Sequence, residues 1–152
     1  MTLRKPFCPR DRVLIDSNAL FCIRQAVRYA HPEEACGVLL GDRETGIIRD
    51  AWCIENRAET EAARRYYRID PLQMRSLERR AENDGYEIVG FYHSHVEAEA
   101  IPSGEDRDRM IPGMVYLIVP VFGGRPGRAR AYWKDAADGP AEEMDVSLKE
   151  RR

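Results

Sequence analysis

The stretch Tyr86–Met110 reads YEIVGFYHSHVEAEAIPSGEDRDRM, and the way it folds decides how the rest must be arranged. Its first seven residues, Tyr86–Tyr92, are rich in β-branched and aromatic side chains, the composition of a buried strand. That strand delivers His93-Ser94-His95 at its end. Residues two apart on a strand face one side, so two imidazoles aim at one point while Ser94 turns away. Ser103 then begins a short helix that stops near Ile111-Pro112-Gly113, and Asp106 sits on its first turn. Neutral imidazole is a good zinc ligand, and a catalytic zinc usually takes three protein ligands and keeps one position open. His93, His95 and Asp106 are candidates for those three. Two plainer readings stand beside this one. Ser103 and Asp106 fit the S-x-x-[DE] capping box, and an H-x-H pair also occurs as surface or core histidines.

Hydrolysis at such a site needs a group that moves a proton. The candidates are Glu33 and Glu34, in HPEEACGVLLG at residues 31–41, on a helix-to-strand junction. The alternative for any Glu-Glu pair is two solvated surface acids.

Upstream of the central stretch, Asp16 or Ser17 caps a helix running to about Ala30, with Leu20, Ile23, Val27 and Ala30 as its apolar stripe. His31-Pro32 ends it, because the residue before proline is pushed out of the helical region. Ala35–Leu40 reads as a short strand and Asp42–Gly46 as a turn. Ile47–Ile54 returns antiparallel, Asn56–Ala63 is a polar surface loop, and Tyr66–Ile69 is a further short strand. Asp70-Pro71 opens a second helix, with Asp70 as N-cap and Pro71 in the first turn. Its apolar face is modest, so it lies on the outside, and Asn83-Asp84-Gly85 ends it. Downstream, Met114–Phe122 is the strongest apolar run and reads as a central strand. Gly123–Gly127 turns the chain, and Ala129–Trp133 pairs back.

The expected organisation is a polar arm over residues 1–12, one domain over 13–134, and a polar tail over 135–152 that is disordered or a short surface helix. The element order gives an α/β (α+β) domain, a mixed β-sheet flanked by helices in layers. At 152 residues the chain is long enough for one core. A formal net charge of -2 gives no general pull toward nucleic acid or an anionic membrane. No apolar run reaches the roughly 20 residues that span a bilayer, and no secretory apolar stretch follows the N-terminal charges. Cytoplasm is the expected compartment. Cys8, Cys22, Cys36 and Cys53 contain no C-x-x-C pair and read as free thiols in a reducing environment. The H-x-E and P-C-x-x-C pattern of zinc deaminases is absent, as is the H-E-x-x-H helix of zincins.

Taken together, Glu34 in an H-P-x-E segment, His93-Ser94-His95 and the tetrad Ser103-Gly104-Glu105-Asp106 resemble the JAMM (MPN+) zinc metalloprotease family. The resemblance covers about Val13 to Lys134. It implies a cytidine-deaminase-like α/β sandwich, with zinc held by His93, His95 and Asp106. It also implies that Glu34, rather than Glu33, is the general base that deprotonates a zinc-activated water and then the general acid. Ser103 is implied as the oxyanion-stabilising hydroxyl. The chain is most similar to the small bacterial branch. There the resemblance implies, as partner, a ubiquitin-like sulfur-carrier protein with a Gly-Gly tail, or its C-terminal adduct. The alternatives are a general deconjugating isopeptidase for lysine-linked ubiquitin-like modifiers and a non-catalytic MPN binding module with a structural zinc. One departure is Val96, where many members have proline after the second histidine. The loop from Val96 to Ile101 and the segment Asn56–Tyr67 are the expected flanks for an extended tail.

Overall fold

The computed structural model describes residues 12–42, 45, 47–55 and 70–149. The expected loop at Asn56–Ala63, the strand at Tyr66–Ile69 and the arm before Arg12 lie outside the described residues. Among those described, the order is β1 (Arg12–Asp16), α1 (Ser17–Ala30), β2 (Cys36–Asp42), β3 (Ile47–Ile54), α2 (Pro71–Asn83), β4 (Glu87–Val96), α3 (Gly104–Arg109), β5 (Val115–Phe122), β6 (Arg125–Pro126), β7 (Arg130–Trp133) and β8 (Glu142–Lys149).

Both long helices start where short polar side chains satisfy exposed backbone donors. Asp16 accepts from the Asn18 N–H at 2.8 Å, and Asp70 accepts from the Leu72 N–H at 2.8 Å with Pro71 in the first turn. The strands form one mixed sheet in the order β4-β2-β3-β1-β8-β7-β5-β6, and β4 also pairs with β5. The ladder therefore returns on itself. Parallel pairs are β1–β3, β1–β8 and β4–β5; the remaining pairs are antiparallel.

Side chains alternate across the sheet and build two cores. On one face Ala19, Ile23 and Val27 of α1 pack with Val13, Ile15, Leu39, Ile48, Leu117 and Val119. On the other, Cys36, Val38, Leu40, Phe91, Tyr116, Ile118 and Tyr132 form a second cluster. Ala81 of α2 joins that cluster, as do Ala100 and Met110 from the chain between β4 and β5. The Arg80 guanidinium stacks over the Trp52 ring at 4.2 Å, a cation–π contact that helps dock the otherwise charged α2.

A bulge in β4 decides which face its later residues serve. Leu39 pairs with Gly90 and Leu40 with Ile88, leaving Val89 as an extra residue. Such an insertion reverses the alternation beyond it. Ile88 and Phe91 accordingly share the second face, while Val89 and Tyr92 face α1. Next to the bulge, a Cβ on Gly90 would stand 2.0 Å from the Val115 carbonyl oxygen, so the β4–β5 approach requires glycine there.

Two expectations need correction, and one strand, β1, was not anticipated. Residues 142–149 are a strand, neither disordered nor helical, pairing parallel with β1 and antiparallel with β7. Its backbone ladder holds it, since Met144 is its one buried side chain. The lead into α1 is itself a strand, β1. The strand expected over Tyr86–Tyr92 with the histidine triplet at its end runs on as β4 to Val96, so the triplet lies within it. No helix of the described residues is long and apolar enough to cross a membrane.

Candidate active site

Past the bulge, His93 and His95 point to the face that carries α2 and α3. Their Nε2 atoms stand 3.1 Å apart. The Oδ2 atom of Asp106 lies 3.0 Å from Nε2 of His95 and 3.4 Å from Nε2 of His93. The same Oδ2 accepts the Ser103 N–H at 2.9 Å, and the Ser103 Oγ accepts the Asp106 N–H at 3.0 Å. The capping box and the ligand cluster thus coexist, because one carboxylate oxygen serves both. The cap fixes the first turn of α3 so that Asp106 faces the imidazoles.

The His95 tautomer follows from its other nitrogen. Nδ1 lies 2.8 Å from the Glu99 carbonyl oxygen, which only accepts, so Nδ1 carries the proton and Nε2 presents a lone pair. A tetrahedral cation bonded to nitrogen and oxygen at about 2.0–2.1 Å holds its ligand atoms roughly 3.3 Å apart. Separations of 3.0, 3.1 and 3.4 Å match that triangle. His93, His95 and Asp106 could therefore hold a small divalent cation, and they form such a group in space.

Glu34 reaches the site through strand pairing rather than sequence proximity. Cys36 of β2 pairs with His93 of β4. Ser94, facing away from the imidazoles, accepts the Ala35 N–H on its Oγ at 2.8 Å, and its own N–H donates to the Ala35 carbonyl at 3.0 Å. These bonds clamp the chain at Glu34 to the histidine strand. The structure separates the Glu-Glu pair: Glu34 is 3% exposed, whereas Glu33 is half-buried.

Burial sets the electrostatics. It pushes the Glu34 carboxyl up to about 8; the charge of His95 opposes this, while Asp106 and Glu105 add to it. Burial also holds His93 below its usual value, against the hydrogen bond and charge of Asp106. For His95, burial is outweighed by the Asp106 hydrogen bond, the Glu99 carbonyl and nearby negative charge, and its pKa rises. Burial likewise disfavours ionised Asp106. The two histidines and the Ser103 N–H together outweigh it and hold the carboxyl well below the usual range. The arrangement is an ionised acceptor between two imidazoles beside a carboxyl that keeps its proton near neutrality, a combination suited to acid–base chemistry. Cys36 shares this face, but burial pushes its thiol up to about 12, which leaves it a packing group.

All five expected site residues lie on this face or border it. The sequence reading missed Ser94, whose only signal was its position between the two histidines. It singled out the loop after Val96 but missed what anchors it. Glu97 adopts φ 52°, its N–H donates to the Val121 carbonyl at 2.7 Å, and its carboxylate accepts the Gly123 N–H at 2.7 Å. Those bonds anchor the loop where proline was the expected stiffener.

Comparisons with known proteins bear on the family and the fold. The family described as prokaryotic homologs of the JAB domain matches residues 18–135. A desampylase of Haloferax volcanii is 43% identical over 89 residues, covering 57% of this chain and 62% of that protein. The chain's match thus spans less than two thirds of that relative's length. A CysO-cysteine peptidase of Mycobacterium tuberculosis is 31% identical over 125 residues, 82% of each chain. Among solved structures, a JAB1/MPN domain protein from Archaeoglobus fulgidus superposes with a TM-score of 0.54 at 19% identity, covering 90% of this chain and 98% of the other. That last likeness is one of fold.

Proposed function

The chain belongs to the prokaryotic JAB-domain family, and from that premise we propose that it is a zinc-dependent peptidase. In this reading it hydrolyses an amide bond at the C-terminal Gly-Gly tail of a ubiquitin-like sulfur-carrier protein. What carries the reading is the triangle of His93 Nε2, His95 Nε2 and Asp106 Oδ2, with separations of 3.0, 3.1 and 3.4 Å. Zinc held by these three residues supplies a Lewis acid for the scissile carbonyl and lowers the pKa of water toward about 7.

The remaining work falls to the chain's own groups. Glu34 takes the proton of the attacking water and returns it to the leaving amine. Burial raises its pKa in the metal-free protein, and a cation held beside it would favour the ionised form that accepts the first proton. Ser103 accepts the Asp106 N–H on its Oγ, which leaves its own proton to donate to the developing oxyanion. The Glu99 carbonyl keeps His95 in the tautomer that offers Nε2. The described cysteines, Cys22, Cys36 and Cys53, are free, in keeping with work in the cytoplasm, and the mechanism needs no thiol nucleophile.

The CysO-cysteine peptidase likeness supports a carrier bearing a C-terminal cysteine as substrate. The desampylase likeness favours a second reading, a deconjugating isopeptidase acting on lysine-linked ubiquitin-like modifiers. Incubating the zinc-loaded protein with a carrier ending in Gly-Gly-Cys, and separately with a lysine-linked conjugate, distinguishes them. The first reading expects chelator-sensitive cleavage of the carrier adduct and its loss in Glu34→Gln. Cleavage of the conjugate alone transfers the assignment to the second reading. Cleavage of neither, with zinc bound, supports the non-catalytic binding module.

A further inference from the structure

The chain between β4 and β5 carries Asp106, Ser103 and the carbonyl that orients His95, yet it contains little regular structure of its own. Its helix α3 has six residues, too few to be stable alone. The capping box fixes the N-terminal end of α3. What holds the other end, and the loop before it, comes from β7, two strands away from β4 across β5, and from the residue that follows it, Lys134.

Tyr132 and Lys134 lie two apart along that chain, so they face the same side. The Tyr132 hydroxyl donates to the Ala100 carbonyl at 2.6 Å in a buried bond. The carbonyl immediately before it, on Glu99, is the acceptor for His95 Nδ1. The Lys134 ammonium donates to the Arg107 carbonyl, one residue after Asp106, and to the Ala137 carbonyl at 3.3 Å. The Lys134 backbone carbonyl also accepts the Gly113 N–H at 3.2 Å. Lys134 is 4% exposed. Burying an ammonium is costly unless strong acceptors replace water, and the C-terminal carbonyls of a helix are such acceptors.

We propose that Tyr132 and Lys134 are positioning residues for the metal site: Tyr132 fixes the Glu99–Ala100 carbonyls that orient His95, and Lys134 fixes the end of α3 that aims Asp106. The proposal rests on the metal-site reading above. It extends the set of residues on which the site depends to a strand that contributes no ligand. A loose helix end would let Asp106 drift from the two imidazoles without unfolding the sheet. The result is weaker metal binding and an altered coordination geometry.

The test compares Tyr132→Phe, Lys134→Met and the control Arg130→Gln. Arg130 lies on β7 facing the same side with its guanidinium 6.0 Å from the centre of the Tyr132 ring, but its hydrogen bonds go to Glu143 at 2.6 Å rather than to the Asp106 segment, so it tests the hydrogen bonds apart from ring packing. Zinc affinity is measured by competition with a chromophoric chelator, and the cobalt(II)-substituted proteins give visible absorption spectra. Supporting residues around a metal typically change affinity by about 10–100-fold. That loss, with an altered cobalt spectrum, is expected in Tyr132→Phe and Lys134→Met, while Arg130→Gln keeps the wild-type values. Wild-type affinity and spectra in both variants, even with lowered melting temperatures, overturn the proposal and leave the metal site standing. A wild-type protein that binds neither ion overturns both. If Lys134→Met does not fold, Tyr132→Phe, which keeps the ring and its packing, decides alone.

Discussion

Replacing Glu34 by Gln should make the metal-free protein more stable, and the gain should depend on pH. Native Glu34 keeps its proton up to about pH 8, whereas an ordinary glutamate releases it near 4.5. Between these values the native state binds the extra proton and the unfolded chain does not. Stability therefore falls as pH rises through the window. At about 1.4 kcal/mol per pH unit, the full cost of ionising this carboxyl is about 5 kcal/mol. Glutamine has nearly the same shape and no charge, so it removes the slope. Thermal melts followed by circular dichroism, with chelator present, should show the two proteins nearly alike at pH 5. At pH 8.5 the variant should lead by up to about 5 kcal/mol, a difference on the order of 10–20 °C in melting temperature for a chain of this size. Added zinc should shrink the difference, because a nearby cation favours the ionised carboxylate. A wild-type stability curve that runs parallel to the variant's from pH 5 to 9 would refute the assignment of a buried, proton-holding Glu34.

Asp106→Asn keeps the size of the side chain but removes the charge between the imidazoles; zinc affinity, read by metal analysis after dialysis, should fall by more than the 10–100-fold typical of supporting residues. Ser103→Ala should cost about 1 kcal/mol of stability through the lost cap but about 10²–10³-fold in kcat through the lost oxyanion donor. Steady-state kinetics beside urea melts separate the two roles, and a kcat unchanged after correction for folded fraction leaves Ser103 a cap alone. Gly90→Ala places a Cβ 2.0 Å from the Val115 carbonyl oxygen; a loss of at least about 1–3 kcal/mol is expected from overpacking, measured as a lower urea midpoint.

Much of the site was legible because its logic is local. The i, i+2 spacing of His93 and His95 predicts a shared face, and Ser103 with Asp106 predicts a helix start. Both features are present, and the capping box reinforces the ligand geometry instead of competing with it. Strand β3 and the caps of α1 and α2 follow from equally local signals. The missed features depend on distant partners. Only five residues long, β1 runs straight into the α1 cap, so its alternation is too brief to stand out from the helix that follows. Strand β8 does carry a period-two signal, Met144, Val146 and Leu148 alternating with polar residues, but it is short, buries only Met144 fully and lies in an otherwise polar stretch, so the sequence reading passed over it. Choosing Glu34 over Glu33 needed either a family resemblance or the Cys36–His93 pairing, since both acids lie in the same polar junction. Tyr132 and Lys134 carried no signal because their partners are backbone carbonyls, invisible in side-chain patterns.

Val89, the unpaired residue in β4, makes the site's sensitivity to length one-sided. Every position from Gly90 to Val96 takes its facing from its partner on β5, and Val89 is the surplus residue that the ladder steps over. Removing Val89 would leave Ile88 opposite Leu40 and Gly90 opposite Leu39, so the ladder becomes regular and His93 still stands opposite Cys36. A one-codon deletion is therefore absorbed at the bulge, whereas one residue added between Phe91 and His93 would turn both imidazoles toward α1 although no ligand had been substituted.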